Sequence, residues 1–148
     1  MRILIADDDP TYRALLSDLL EQWGYEPLVC EDGEQAMDAL QGPTAPNLAI
    51  VDWMMPGLDG FELCRRVREM DGGGDVYILL ATGSRLKEEI IRVVVAGADD
   101  YIIKPFEPQD LQIRLRAAQR ILDLRHEVRQ LQCRLESGAN GSVPTWRV

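Results

Sequence analysis

Carboxylates gather at two points of this sequence. Asp7, Asp8 and Asp9 stand together in ILIADDDP, and Asp52 closes the apolar run Leu48-Ala49-Ile50-Val51 in NLAIVDWMMPGLDG. A buried run that ends in a carboxylate is costly unless the charge meets a partner. Gathering Asp7, Asp8 and Asp52 creates like-charge repulsion, which a proton or a cation must relieve. Carboxylates with backbone carbonyls and waters form an oxygen-only site, and that donor set suits Mg2+ or Mn2+ better than soft metals. Such an ion neutralises phosphoryl oxygens and makes a carboxylate a feasible nucleophile towards phosphorus. Thr82 in LLATGS offers a hydroxyl and Lys104 in GADDYIIKPF a positive charge, each able to meet a phosphoryl oxygen. These residue types point to phosphoryl transfer onto an aspartate.

Residues so far apart in the chain need a fold to gather them. Apolar runs predict strands over Ile3–Ala6, Glu26–Cys30, Leu48–Val51, Val76–Ala81 and Tyr101–Ile103. Amphipathic segments between them predict helices starting near Pro10, Gly33, Asp59, Ser84 and Pro108, the first with Asp9 as N-cap and Pro10 at its first position. Strands separated by single helices imply right-handed crossovers and a parallel sheet covered on both faces. The second strand is the weakest signal, because Glu26 and Pro27 interrupt its pattern. In an open sheet of this kind ligands bind beyond the carboxyl ends of the strands. Asp7-Asp8-Asp9, Asp52, Thr82 and Lys104-Pro105 all follow strands, so they belong at one rim.

The bulk properties limit the rest. A length of 148 residues suits one domain with an appendage. With 46% hydrophobic and 28% charged residues, the composition is that of a globular protein rather than a disordered chain. No apolar run is long enough to span a membrane, and the N-terminus turns acidic too early for a signal peptide. Cys30, Cys64 and Cys133 are scattered and odd in number, which argues for a reducing cytoplasm and against a disulfide frame or cysteine-bound zinc. The net charge of −9 divides into −11 for residues 1–106 and +2 for residues 107–148. An acidic body repels phosphate backbones, so residues 1–106 are not expected to bind nucleic acid.

The four motifs ILIADDDP, IVDWMMPGLDG, LLATGS and GADDYIIKPF, in that order and spacing, resemble the receiver domain of bacterial two-component response regulators. The resemblance covers about residues 1–122. It implies a flavodoxin-like, doubly wound five-stranded sheet of order 2-1-3-4-5. It also implies that Asp52 takes a phosphoryl group from the phosphohistidine of a sensor histidine kinase or phosphotransfer protein. Asp8 would ligate Mg2+ directly, Asp7 close by or through water, and the Met54 backbone carbonyl would add a ligand. Lys104 would pair with the phosphoryl group, ahead of a cis bond to Pro105. Thr82 would move onto a phosphoryl oxygen and let Tyr101 swing from exposed to buried. A module of this kind assists its own phosphorylation and dephosphorylation without being a turnover enzyme. Met54 and Ser84 would border the route of attacking water, and an apolar Met54 would shield the phosphoryl group from hydrolysis.

Two rival readings share some residues. DDDPT also fits the nucleophile motif of haloacid dehalogenase-like phosphatases, with Asp7 as nucleophile and Asp9 as acid/base. That reading leaves Asp52 idle, puts the lysine after the Asp99-Asp100 pair instead of before it, and lacks a cap insertion. A constitutive interaction module would be expected to lose one of Asp8, Asp52, Thr82 or Lys104, and all four are present.

Beyond residue 122 the helical pattern continues to about Glu136. Ala117, Ile121, Leu124, Val128, Leu131 and Leu135 step by alternating fours and threes, an a/d seam of under three heptads that runs into a helical extension over 123–136, a candidate coiled-coil signalling helix. Pairing two copies in parallel would set Arg120 against Arg125, a repulsion. Homodimerisation through this helix and the last strand-helix surface stands against packing on a further domain. The segment 137–148 reads as a linker or tail. No DNA-binding pattern follows the helix, and its arginine-rich connector resembles those leading to diguanylate cyclase or phosphatase effectors.

Overall fold

Alternating apolar side chains let each strand face two helical layers at once. In the computed structural model, which describes residues 1–83 and 86–138, β1 (Arg2–Ala6) shows the principle. Ile3 and Ile5 pack against α1 (Pro10–Gln22) and α5 (Pro108–Gly138), where they meet Leu16, Leu20, Leu111 and Leu115. Leu4 and Ala6 point to the opposite layer, made by α2 (Gly33–Gln41), α3 (Gly60–Glu69) and α4 (Lys87–Ala96). The remaining strands are β2 (Glu26–Cys30), β3 (Leu48–Asp52), β4 (Tyr77–Thr82) and β5 (Asp100–Ile103). All pairings are parallel and the order is β2-β1-β3-β4-β5, the flavodoxin-like topology.

The weak second strand lies at the sheet edge. β2 pairs only with β1, and an edge is where a strand tolerates a proline, since a missing N–H need not break a ladder. At the starts of α1 and α3, Asp9 accepts the Thr11 N–H at 2.9 Å and Asp59 accepts the Glu62 N–H at 2.8 Å. Asp59 is therefore the cap of α3, with Gly60 its first residue. The fourth helix begins at Lys87; the expected start at Ser84 and positions 139–148 of the tail lie outside the described residues. The DGGGD loop contains one 3-10 turn, Gly73–Asp75.

α5 runs unbroken for 31 residues. Leu111, Leu115, Ala118 and Leu122 are buried against the sheet, whereas Leu124, Val128 and Leu131 each expose more than half their surface (52% to 59%). The extension is held to the body by charge. Arg125 reaches Asp99 at 3.2 Å and Arg129 reaches Asp75 at 3.1 Å. Among the described residues no helix is long and apolar enough to cross a membrane.

Candidate functional site

Register places the acidic residues. Ala6 stands opposite Val51, so Asp7 leaves β1 level with Asp52 at the end of β3. Asp52 in turn pairs with Ala81, one residue before Thr82, and the Lys104 N–H donates to the Thr82 carbonyl at 2.7 Å. Gly60 lets the next helix start close by: a Cβ there would overlap the Asp52 carbonyl oxygen. Gly57 turns the loop between them with a φ of +75°, a conformation side chains disfavour.

One carboxylate oxygen from each of Asp7, Asp8 and Asp52 lies within 4.8 Å of the others. Asp7 is buried, Asp52 nearly so, and Asp8 is exposed at the mouth. Lys104 bridges the buried pair, its Nζ 2.7 Å from Asp7 Oδ2 and 3.3 Å from Asp52 Oδ1. The other Asp7 oxygen accepts the Asp9 N–H at 2.9 Å. Burial pushes the Asp52 carboxyl up to about 6, opposed by the Lys104 charge, with the charge of Asp7 adding to the rise and the Lys104 and Met54 N–H bonds opposing it. Desolvation works to lower the Lys104 ammonium, but its hydrogen bond to Asp7 and the charge of Asp52 outweigh that and hold it above its ordinary value. The acidic cluster thus carries more negative charge than one lysine relieves, in an all-oxygen donor set suited to a hard divalent cation.

The other expected residues fall around this cluster. Thr82 is buried at the end of β4. Tyr101 is half-buried in β5, packed on the α2-α3-α4 side of the sheet. The Met54 side chain is 70% exposed, and its backbone N–H is what reaches Asp52. The Lys104-Pro105 peptide is cis. Trp53 is buried, with the Arg92 guanidinium 5.6 Å from its ring centroid.

This chain matches the response regulator receiver domain over residues 3–116. It belongs to that family.

The receiver is 40% identical over 118 residues to the phosphate regulon transcriptional regulatory protein PhoB of Pseudomonas aeruginosa, covering 80% of this chain and 51% of that protein. It therefore spans about half the length of the curated relatives it matches. Among solved structures, a two-component response regulator/GGDEF domain protein superposes with a TM-score of 0.77 at 28% identity, covering 83% of this chain and 50% of that one. The receiver domain of the P. aeruginosa sensor histidine kinase PA1611, described with magnesium coordinated in its active-site cleft, superposes at 0.71 with 29% identity, covering 78% and 94% of the two chains.

Receivers are signalling modules of two-component systems rather than turnover enzymes. Family membership removes the dehalogenase-like alternative, and Asp9, its acid/base, is used here as the α1 cap. PhoB is named a transcriptional regulator, which runs against the expected cyclase- or phosphatase-type output, while the solved two-component neighbour is named for a GGDEF domain. Two residues gave no sequence signal, one beside the site and one at the opposite end of the sheet. Tyr12 in the first turn of α1 faces Lys104, and Arg68 in α3 anchors the far end of β5. Only tertiary proximity distinguishes either from its neighbours in sequence.

Proposed function

We propose that Asp52 of this receiver accepts a phosphoryl group from the phosphohistidine of a sensor histidine kinase or phosphotransfer protein. The observation that carries the reading is Lys104 Nζ, 3.3 Å from Asp52 and 2.7 Å from Asp7 inside the carboxylate cluster. A carboxylate oxygen of Asp52 forms the new P–O bond as the P–N bond of phosphohistidine breaks, and the imidazole nitrogen leaves with the electron pair. Mg2+, or Mn2+ in its place, would be held by Asp8 and Asp52, by Asp7 close by or through water, and by the Met54 backbone carbonyl. When bound, it neutralises charge on the phosphoryl oxygens. Lys104 turns onto one of those oxygens, the Thr82 hydroxyl donates to another, and Tyr101 moves further inward beside it. The new charge of roughly −1.5 to −2 biases this two-state arrangement.

Output passes to a second copy or to an effector domain. The exposed apolar residues of α4 (Ile91, Val94 and Val95) and the α5 seam supply the surface for a homodimer. The effector is either of the transcription-regulating kind named for PhoB or of the GGDEF kind named for the solved two-component neighbour. Residues 1–106, at −11, keep their own phosphate repulsion in either case.

Incubation with acetyl phosphate and Mg2+, followed by intact mass, tests the reading. Wild type should gain one acid-labile phosphoryl group and Asp52→Asn none. An unmodified wild type would leave the constitutive interaction module as the better account. Gel filtration with and without beryllofluoride tests the dimer, and a monomer under both conditions at high concentration refutes it.

A further inference from the structure

The Lys104 ammonium has three protons and three close neighbours. Two are the carboxylates of Asp7 and Asp52, at 2.7 and 3.3 Å. The third is the face of Tyr12, whose ring centroid lies 4.0 Å from Nζ. An ammonium over an aromatic face is drawn by the ring quadrupole, and the attraction grows when water is excluded. The Lys104 side chain is only 13% exposed. The ring itself is held on both sides. α1 starts rigidly, with Asp9 capping it and Arg13 donating to the Asp7 carbonyl at 2.9 Å. Phe106, two residues beyond Lys104, leans on Tyr12 with centroids 6.0 Å apart.

We propose that Tyr12 is a positioning residue for phosphoryl transfer, its ring face keeping the Lys104 ammonium turned into the site and away from water. The inference rests on the phosphoacceptor reading of Asp52. A leucine would fill much of the same space but present no negative π face. The third proton would then turn to solvent, and outward rotamers of Lys104 would compete with the one that reaches Asp52. The ring can remain under the ammonium as it shifts from carboxylate to phosphoryl oxygen, because its backbone is fixed in α1 by the Asp9 cap and Phe106 moves with Lys104 on the same segment. The hydroxyl of Tyr12 has no part in this, so phenylalanine should serve equally.

Two measurements test the role. The acetyl phosphate reaction of Tyr12→Leu should be about five- to tenfold slower than wild type, and that of Tyr12→Phe should stay near wild type. In a Lys104→Met background, Tyr12→Leu should cause no further loss; an equal loss in both backgrounds would mean mere packing and overturn the proposal. The second measurement needs neither metal nor phosphoryl donor. The sequence has two lysines, Lys87 and Lys104, and Lys87 is exposed at the start of α4. In metal-free protein with labelled lysine, the Lys104 ε-methylene protons should resonate upfield of those of Lys87. Tyr12→Leu should abolish that offset and Tyr12→Phe preserve it. Coincident lysine signals in wild type would refute the ring contact itself. Wild type showing the offset but taking no phosphoryl group would instead overturn the phosphoacceptor reading, and the proposed role with it.

Discussion

Replacing Asp52 by asparagine should stabilise the metal-free protein at neutral pH. An aspartate carboxyl ordinarily titrates near 3.8, and at Asp52 burial pushes it up to about 6. Between those values the folded chain holds a proton that the unfolded chain has released, so the Asp52 contribution to stability falls as pH rises through the window. Below the lower value both states are protonated and the penalty vanishes; above the upper value it is complete. The side chain is 11% exposed, so solvent screening removes little of it. A gap of about two pKa units corresponds to about 3 kcal/mol. For a chain of this size that is a rise in Tm on the order of 10 °C for Asp52→Asn. Lys104 keeps Asp7 at 2.7 Å in the variant, so the substitution orphans no ammonium. Thermal unfolding of both proteins in EDTA, from pH 4 to 7.5, is the assay. The two melting curves should converge towards pH 4 and separate above pH 6. Equal stability at pH 7.5, or a gap that does not change with pH, would refute the reasoning. Added Mg2+ should then raise wild type more than the variant, because the charge it relieves is present only in wild type.

Met54→Asn should shorten the lifetime of the phosphorylated protein several-fold, because a polar side chain in place of an apolar one would admit and orient attacking water; an unchanged dephosphorylation rate counts against shielding by Met54. Arg68→Met should cost about 3 kcal/mol in urea unfolding, since it strips hydrogen bonds from the carbonyls of Gly73, Val76 and Gly97 and from Asp99. A loss under about 1 kcal/mol would show that water replaces the guanidinium there. Iodoacetamide at pH 8 should label Cys133 alone in the native chain. Cys133 is exposed, whereas Cys30 and Cys64 are buried and their thiols are pushed up to about 11 by that burial. Labelling at two or three positions would contradict the packing of β2 and α3.

The sheet and the acidic rim were legible because their signals are local or periodic. Ile3 and Ile5 against Leu4 and Ala6 alternate as a strand with two buried faces must. Asp7, Asp52, Thr82 and Lys104 each follow a strand, so parallel topology alone puts them at one end. The strand bounds differed by at most one residue, mostly where a terminal Arg2, Asp52 or Asp100 extends a ladder without extending the apolar run. The hub at Arg68 was invisible for the opposite reason. Arg65, Arg66 and Arg68 look alike in sequence. Yet the first two make exposed pairs with Glu62, while Arg68 is drawn inward by three carbonyls and Asp99 from other elements. Tyr12 likewise owes its contact with Lys104 to the approach of the segment after β5, distant in the chain.

The same contrast between central and edge strands decides where a change at the site is expected to travel. Asp7 follows β1 and Asp52 ends β3, and both strands are hydrogen-bonded on two sides. Lys104 follows β5, which pairs only with β4. Displacing a central strand breaks two ladders, whereas shifting the edge strand strains one. β5 is also four residues long and gripped at its far end by charge. Asp99, just before it, binds Arg68 and Arg125, and Asp100 binds Arg114. Arg114 and Arg125 both belong to α5, one in the part packed on the sheet and one where the exposed extension begins. If Asp52 is the phosphoacceptor proposed above, drawing Lys104 towards a phosphoryl oxygen would pull on the one strand of the site held by a single ladder, whose opposite end carries the carboxylates paired with α5. A double-mutant cycle between Lys104 and Arg125 would measure that coupling.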